Sequence, residues 1–326
     1  MKIIEHSALG NPADVLIVKE LATPDVKAGQ ARVKVLAAPI HPFNLLQIAG
    51  QYGTTPTLPA TPGAEGIGEV VEVGEGVSHL SIGQRVLLAG GGTWRSEIVA
   101  PAAAFIPVPP ADLEQMSMLS VNPLTAHLML TTFVDLKAGD WIIQSAANSA
   151  VGELVIQLAK QRGIKTVNIV RRDSLIPMLQ ALGADVVLTD GDDLAERVLD
   201  ATGGARPVLA IDAVGGETFA RLIDTLATGA TLVSYGVLSM SPSVLNLGKV
   251  IFNDIRLRGF WLSKWYETAS PADKQAAFGA LIPLIASGQV KTKVDSRFAL
   301  EDIAAAVTRA AEGGRDGKVL LVPNAA

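Results

Sequence analysis

The chain has 326 residues, 49% of them hydrophobic and 18% charged, with 31 glycines and 18 prolines. That is a globular, loop-punctuated composition long enough for two domains, and it excludes a disordered or fibrous chain. Lys and Arg number 27 against 32 Asp and Glu, a net charge of −5, so nothing points to a nucleic-acid partner. Cysteine is absent, which excludes disulfides, thiolate nucleophiles and every cysteine-based zinc site.

Mean hydropathy is +0.35, yet no uninterrupted apolar run approaches the roughly 18 residues of a membrane-spanning helix, and no membrane partner is expected. The opening residues MKIIEHSALG resemble neither a secretory leader nor an Arg-rich presequence, so a cytoplasmic location is expected. The four histidines, His6, His41, His79 and His127, show no paired ligand spacing, and no bound metal is expected.

Residues 1–115 read as short strands at 13–19, 31–38, 67–73 and 85–89, with Gly and Pro clusters between them. Such a series predicts a compact, barrel-like β domain. From about residue 118 the pattern changes. A short apolar strand at 140–145 precedes Val151, Leu154, Val155, Leu158 and Ala159, which fall on one helical face, and Gly163 is placed to end that helix. Further strands recur at 166–170, 185–188, 208–212, 230–235 and 255–260, with helix-compatible stretches filling most of the gaps. Six buried strands alternating with helices predict a doubly wound parallel sheet of the Rossmann type. Two helices near 271–287 and 299–311 follow, the first kinked or shortened by Pro283, and then a closing strand at 318–322.

The turn after the first Rossmann strand runs Ala146-Ala147-Asn148-Ser149-Ala150-Val151-Gly152. Only Gly152 keeps the glycine fingerprint, at the position that permits close helix–sheet packing. The small residues around it still let the backbone approach a pyrophosphate at a helix N-terminus; the alternative is an ordinary strand–helix turn. At the end of the second strand an NAD site would carry an acidic residue for the ribose 2′-hydroxyl. This chain has Arg171-Arg172, then Asp173. Guanidinium groups pair with a 2′-phosphate, so NADPH is the expected cofactor, against the plainer reading of a solvated Arg pair.

Several motifs carry a resemblance to a known family along essentially the whole chain. They are HPFNLLQIAGQYG at 41–53, PGAEGIGEVVEVG at 62–74, GTWRSE at 92–97, VNPLTAHLML at 121–130, QSAANSAVG at 144–152, VRRD at 170–173 and LRGFWLSKW at 257–265. With these the chain resembles the medium-chain dehydrogenase/reductase superfamily, and within it the zinc-free 2-enoyl thioester reductases. The resemblance implies a GroES-like β-rich catalytic domain at 1–117 and 262–326, with an NADPH-binding Rossmann domain at 118–261 between its two parts. Ala64 stands where the zinc enzymes of the superfamily have His.

By the same resemblance Tyr52 is the proton donor, and Asn44 is a polar residue beside the site, where the family commonly has Asp. Asn122 contacts the cofactor, and Asn148, Ser149, Ala150 and Val151 form its pyrophosphate turn. Arg171, Arg172 and Asp173 form the adenosine-phosphate segment, and Tyr235, Gly236, Val237, Leu238, Phe260, Trp261, Leu262 and Lys318 are further cofactor positions. The turn departs from the commoner NSGVG at Ala150, and His127 replaces a frequent Tyr.

Conjugate reduction of an enoyl thioester, carried by CoA or acyl carrier protein, needs a hydride donor at Cβ and an acid for Cα. A phenol with an ordinary pKa of about 10 is protonated at neutral pH. Of the three tyrosines, Tyr52, Tyr235 and Tyr266, only Tyr52 lies on a Gly-flanked loop of the catalytic domain; a surface-packing role is the alternative. Trp94, Phe260, Trp261 and Trp265 are candidates for an acyl pocket or for the core. Lys249, Arg256, Arg258 and Lys264 form a local cationic group suited to CoA phosphates or an acidic carrier, or simply a solvated face. Two other functions fit the fold: a quinone or enone reductase, and a non-catalytic NADPH-binding protein. The resemblance also implies a homodimer formed through the last Rossmann strand.

Overall fold

The computed structural model describes residues 1–324. The chain divides into two compact units, Met1–Val121 with Ala280–Ala326, and Asn122–Gly279 between them. These junctions stand against the 117/118 and 261/262 expected; the second falls inside a helix, Pro271–Ala286.

The first segment supplies strands β1 (Lys2–Glu5), β2 (Ile17–Glu20), β3 (Gln30–Ile40), β4 (Glu65–Val73), β5 (Arg85–Ala89), β6 (Glu97–Pro101) and β7 (Phe105–Pro107). The middle unit supplies β8 (Trp141–Gln144), β9 (Lys165–Val170), β10 (Val186–Thr189), β11 (Leu209–Asp212), β12 (Thr231–Ser234) and β13 (Arg256–Gly259). The last segment adds β14 (Val294–Phe298) and β15 (Lys318–Leu321).

In the outer unit one sheet runs β14-β15-β3-β4-β5-β7, with β6 also paired to β3. β3 alternates, burying Ala31, Val33, Val35 and Ala37 while the residues between them stay half-exposed, the period of a sheet with one covered face. Val33, Val35, Ile40, Val70, Val86, Leu88 and Leu321 form the core with Ile303, Val307 and Ala310 of the helix Ile303–Ala311. The glycines of GAEGIGEV have a packing reason. A Cβ on Gly68 would stand 2.7 Å from the Lys34 carbonyl oxygen on β3, so any side chain there would force the two strands apart.

The middle unit holds one six-stranded sheet, ordered β10-β9-β8-β11-β12-β13 and parallel throughout. Strand order reverses between β8 and β11, and the C-terminal ends of all six strands lie along one edge. A doubly wound sheet binds its ligand outside that edge, at that reversal.

Three expectations change. The strand expected from residue 13 begins at Ile17, because Pro12–Val15 forms a helical turn behind Asn11, whose side chain accepts from the Ala13 amide. Pro283 does not shorten its helix, which runs to Ala286; the proline sits in the last turn, where it forfeits a single helical hydrogen bond. Four Rossmann strands are largely buried, but β10, at one edge, buries only Val187, and β13, at the other, is exposed at every residue. It pairs only with β12 and carries Arg256 and Arg258, the charges of a sheet edge. Among the described residues no helix is long and apolar enough to cross a membrane.

Candidate active site

The middle unit gathers most of the expected cofactor positions at the C-terminal edge of its sheet. β8 leads into a turn in which Ala146 takes φ +48° and the Ser149 amide donates to the Ala146 carbonyl at 2.8 Å. The Ser149 hydroxyl then caps the helix Ala150–Gln161 by accepting from the Gly152 amide at 3.1 Å. The first-turn amides of Ala150 and Val151 have no helical carbonyl before them, and they point where an anion would sit. Gly152 is required here. A Cβ on it would fall 2.6 Å from the Ala147 carbonyl oxygen, so the strand and helix meet backbone to backbone.

Buried polar groups tie this turn to its neighbours. The Gln144 amide donates to the Gly152 carbonyl at 2.9 Å and to Asn168 Oδ1 at 2.8 Å. Buried Asp212, at the end of β11, accepts from the Ser145 hydroxyl at 2.7 Å and from the Val214 and Gly215 amides at 3.0 Å each. Tyr235 follows β12 and bonds Ser149; burial raises its phenol, the Ser149 bond opposes this, and Asp212 adds to the rise.

Arg171 and Arg172 follow β9, immediately beside the turn after β8. With Asp173 they are exposed, and among the described residues neither arginine is held in an ion pair. They are available to a phosphate. Val237 and Leu238 are exposed at 60% and 62%, Gly236 and Leu262 are half-buried, and Trp261 follows β13 at the same edge. Phe260 meets Phe133 edge-on at 6.0 Å, and Arg258 lies 6.0 Å above that ring. Asn122 is buried at the start of the helix Asn122–Thr131. Of the cationic group, Lys249 pairs with Asp224 and Lys264 with Glu267, so half of it is neutralised locally.

The outer unit places Tyr52 on the loop after the helix Pro42–Ile48. That helix is closed by Gly50 at φ +73°. Tyr52 is half-buried, its ring 5.6 Å from Phe43 at a 32° tilt. Asn44 is buried, and its Oδ1 accepts from the His41 amide at 2.9 Å, so it caps its own helix. Trp94 must be corrected. It is fully buried in the core and its Nε1 donates to the Pro39 carbonyl, which leaves no face for an acyl chain.

Lys318 also stands differently from expectation. It is 5% exposed in the outer unit, and its Nζ lies 3.0 Å from His41 Nδ1. On the other side of the ring His41 Nε2 is 2.7 Å from Glu65 Oε1. Burial, with the Lys318 charge adding to it, holds His41 well below its ordinary 6.5, so the ring is neutral. With Lys318 donating to Nδ1, Nε2 carries the hydrogen and donates to Glu65. Burial raises Glu65 to about 8 against the pull of Lys318, the Ser120 hydroxyl and the Ser120 and Val121 amides. It lowers Lys318 to about 7 against the pull of Glu65. The sequence hides this cluster; its one outward sign is a carboxylate set among the small and apolar residues of GAEGIGEV.

Known proteins resemble this chain in sequence and in fold. Family models described as an alcohol dehydrogenase GroES-like domain and a zinc-binding dehydrogenase match residues 27–110 and 150–277. The mitochondrial enoyl-[acyl-carrier-protein] reductase of Rattus norvegicus is 40% identical over 301 residues, which cover 90% of this chain and 81% of that protein. The chain belongs to the enoyl reductases of the medium-chain dehydrogenase/reductase superfamily. A solved complex of Etr1p with NADP and crotonyl-CoA superposes with TM-score 0.88 at 25% identity, covering 98% of this chain and 99% of the other. A putative NADPH:quinone reductase from Bacillus thuringiensis superposes with TM-score 0.91 at 32% identity, covering 99% of both. The zinc of the second family description has no ligand set here: among the described residues no group of three or more His, Cys, Asp or Glu is placed to hold a metal ion.

Proposed function

We propose that this enzyme reduces the C2=C3 bond of a trans-2-enoyl thioester, with NADPH as reductant and Tyr52 as acid. The observation that carries the reading is the 40% identity to an enoyl-[acyl-carrier-protein] reductase over nine-tenths of the chain, in a sequence that carries Tyr52 on a loop of its outer unit. The middle unit fits the dinucleotide. Its Gly152 contact admits no side chain, its Ser149-capped helix offers amides to a pyrophosphate, and Arg171 and Arg172 stand open beside them.

When bound, NADPH supplies the hydride that adds to Cβ. The electron pair of the double bond then moves onto the thioester as an enolate. Tyr52 gives its hydroxyl proton to Cα, restoring the carbonyl, and is reprotonated from water. Asn122, Tyr235, Phe260 and Trp261 hold the cofactor in this reading. Lys318, buried against His41, is proposed to act on it only through the cluster.

The test is NADPH oxidation with crotonyl-CoA, a quinone and 2-cyclohexenone side by side. The expected order puts crotonyl-CoA first in kcat/KM. The quinone reductase likeness at 32% identity makes the second reading specific, and a higher kcat/KM for the quinone would establish it instead.

We also infer a homodimer. β13 has one unpaired side, and near it Val244, Leu247, Ile251 and Phe252 are 75%, 61%, 70% and 85% exposed, an apolar patch of the kind that a partner covers. Sedimentation should give the mass of two chains, and Phe252→Lys with Ile251→Lys should return it to one; a wild-type monomer refutes the pairing.

A further inference from the structure

Tyr52 lies beyond Gly50 on a loop, so its backbone alone does little to fix the direction of the hydroxyl. The side chains beside it form a stack. Phe43 meets the Tyr52 ring at 5.6 Å, and it also lies nearly parallel to His41, with centroids 5.4 Å apart and planes 16° apart. His41 is held at three points: Nε2 against Glu65, Nδ1 against Lys318, and its amide on Asn44 Oδ1. All three partners are buried. The chain of ring contacts therefore starts at a ring bonded through both its nitrogens and ends at the phenol.

We propose that Phe43 is a positioning residue for Tyr52, and that the buried Glu65–His41–Lys318 chain anchors it by fixing the plane of the His41 ring. The proposal rests on the reading of Tyr52 as the acid. A purely structural reading treats the cluster as a satisfied polar core and Phe43 as cover for it. The two differ in what they predict. Stacked and tilted rings constrain orientation, and proton transfer needs the donor within hydrogen-bond reach of Cα. A half-buried Phe that only covers a core contributes to stability and not to kcat. His41 is held neutral by burial and by Lys318, so its ring carries a single N–H hydrogen and no charge to repel the neighbouring lysine.

Phe43→Leu keeps an apolar side chain of similar reach and removes the ring; Phe43→Tyr restores a ring. Each is measured alone and on a Tyr52→Phe parent, for kcat and KM on crotonyl-CoA, NADPH Kd and melting temperature. Phe43→Leu is expected to lower kcat by about 10- to 100-fold, the scale of an ångström misplacement, with KM, NADPH Kd and Tm near wild type. Phe43→Tyr should recover kcat, and on the Tyr52→Phe parent Phe43→Leu should cost nothing further, because the group it positions is gone. Wild-type kcat in Phe43→Leu overturns the proposal, as does an equal loss with and without the Tyr52 hydroxyl. Full kcat in Tyr52→Phe alone is the separate failure of the acid reading, and it removes the positioning role with it.

Discussion

Replacing Tyr52 by Phe is expected to lower kcat on an enoyl-CoA by about 10²–10⁴-fold, the usual cost of losing a general acid, or roughly 3–5 kcal/mol of barrier. The change deletes one oxygen and keeps the ring, so the contact with Phe43 survives. NADPH Kd and melting temperature should therefore stay close to wild type. A phenol that merely packs on the surface predicts the opposite pattern, a lower Tm with kcat preserved. Measuring the three quantities on one preparation separates the two. Unchanged kcat would move the enzyme toward the quinone reductase reading, in which no carbon acid is required.

The second large effect is expected at Arg171 and Arg172. Exchanging both for Ala should raise the NADPH Kd by about 100-fold, or ~2.8 kcal/mol, and leave the NADH Kd nearly unchanged. Charge-assisted hydrogen bonds contribute about 1.5–3 kcal/mol each. Both arginines are exposed, which puts their pairs at the low end because water and salt screen them. The wild-type preference should accordingly shrink as ionic strength rises, and the double variant should show little of that dependence. Equal losses for the two cofactors would mean that the pair does not read the 2′-phosphate.

The parallel sheet and its turn were legible because their signals are local. Each strand and helix announces itself in its own short stretch, and the helical apolar face from Val151 to Ala159 lies beside Gly152 at the tight contact. β13 misled because Ile255 and Leu257 suggest a buried strand, whereas its edge position exposes Leu257 beside Arg256 and Arg258. Trp94 misled because an aromatic residue suits a pocket and a core equally; only the packing around Pro39 distinguishes them. The His41 cluster was out of reach for a different reason. Glu65 is 24 residues from His41 and Lys318 is 277 away, and nothing local in the chain announces that these three side chains share a site.

That 277-residue span has a consequence for synthesis. The middle sheet is complete in the chain once Gly259 has left the ribosome, and its strands come from one uninterrupted stretch. The outer sheet lacks β14 and β15 until residues 294–321 emerge, so β3 waits with an open edge at the register that Val319, Leu320 and Leu321 will occupy. Domains fold as they are made, amino-terminal first, at about 5–20 residues per second. Here the order is inverted. The unit that holds residues 1–121 is completed only after the middle unit has been made, and the lysine that completes the His41 anchor follows that histidine by 277 residues.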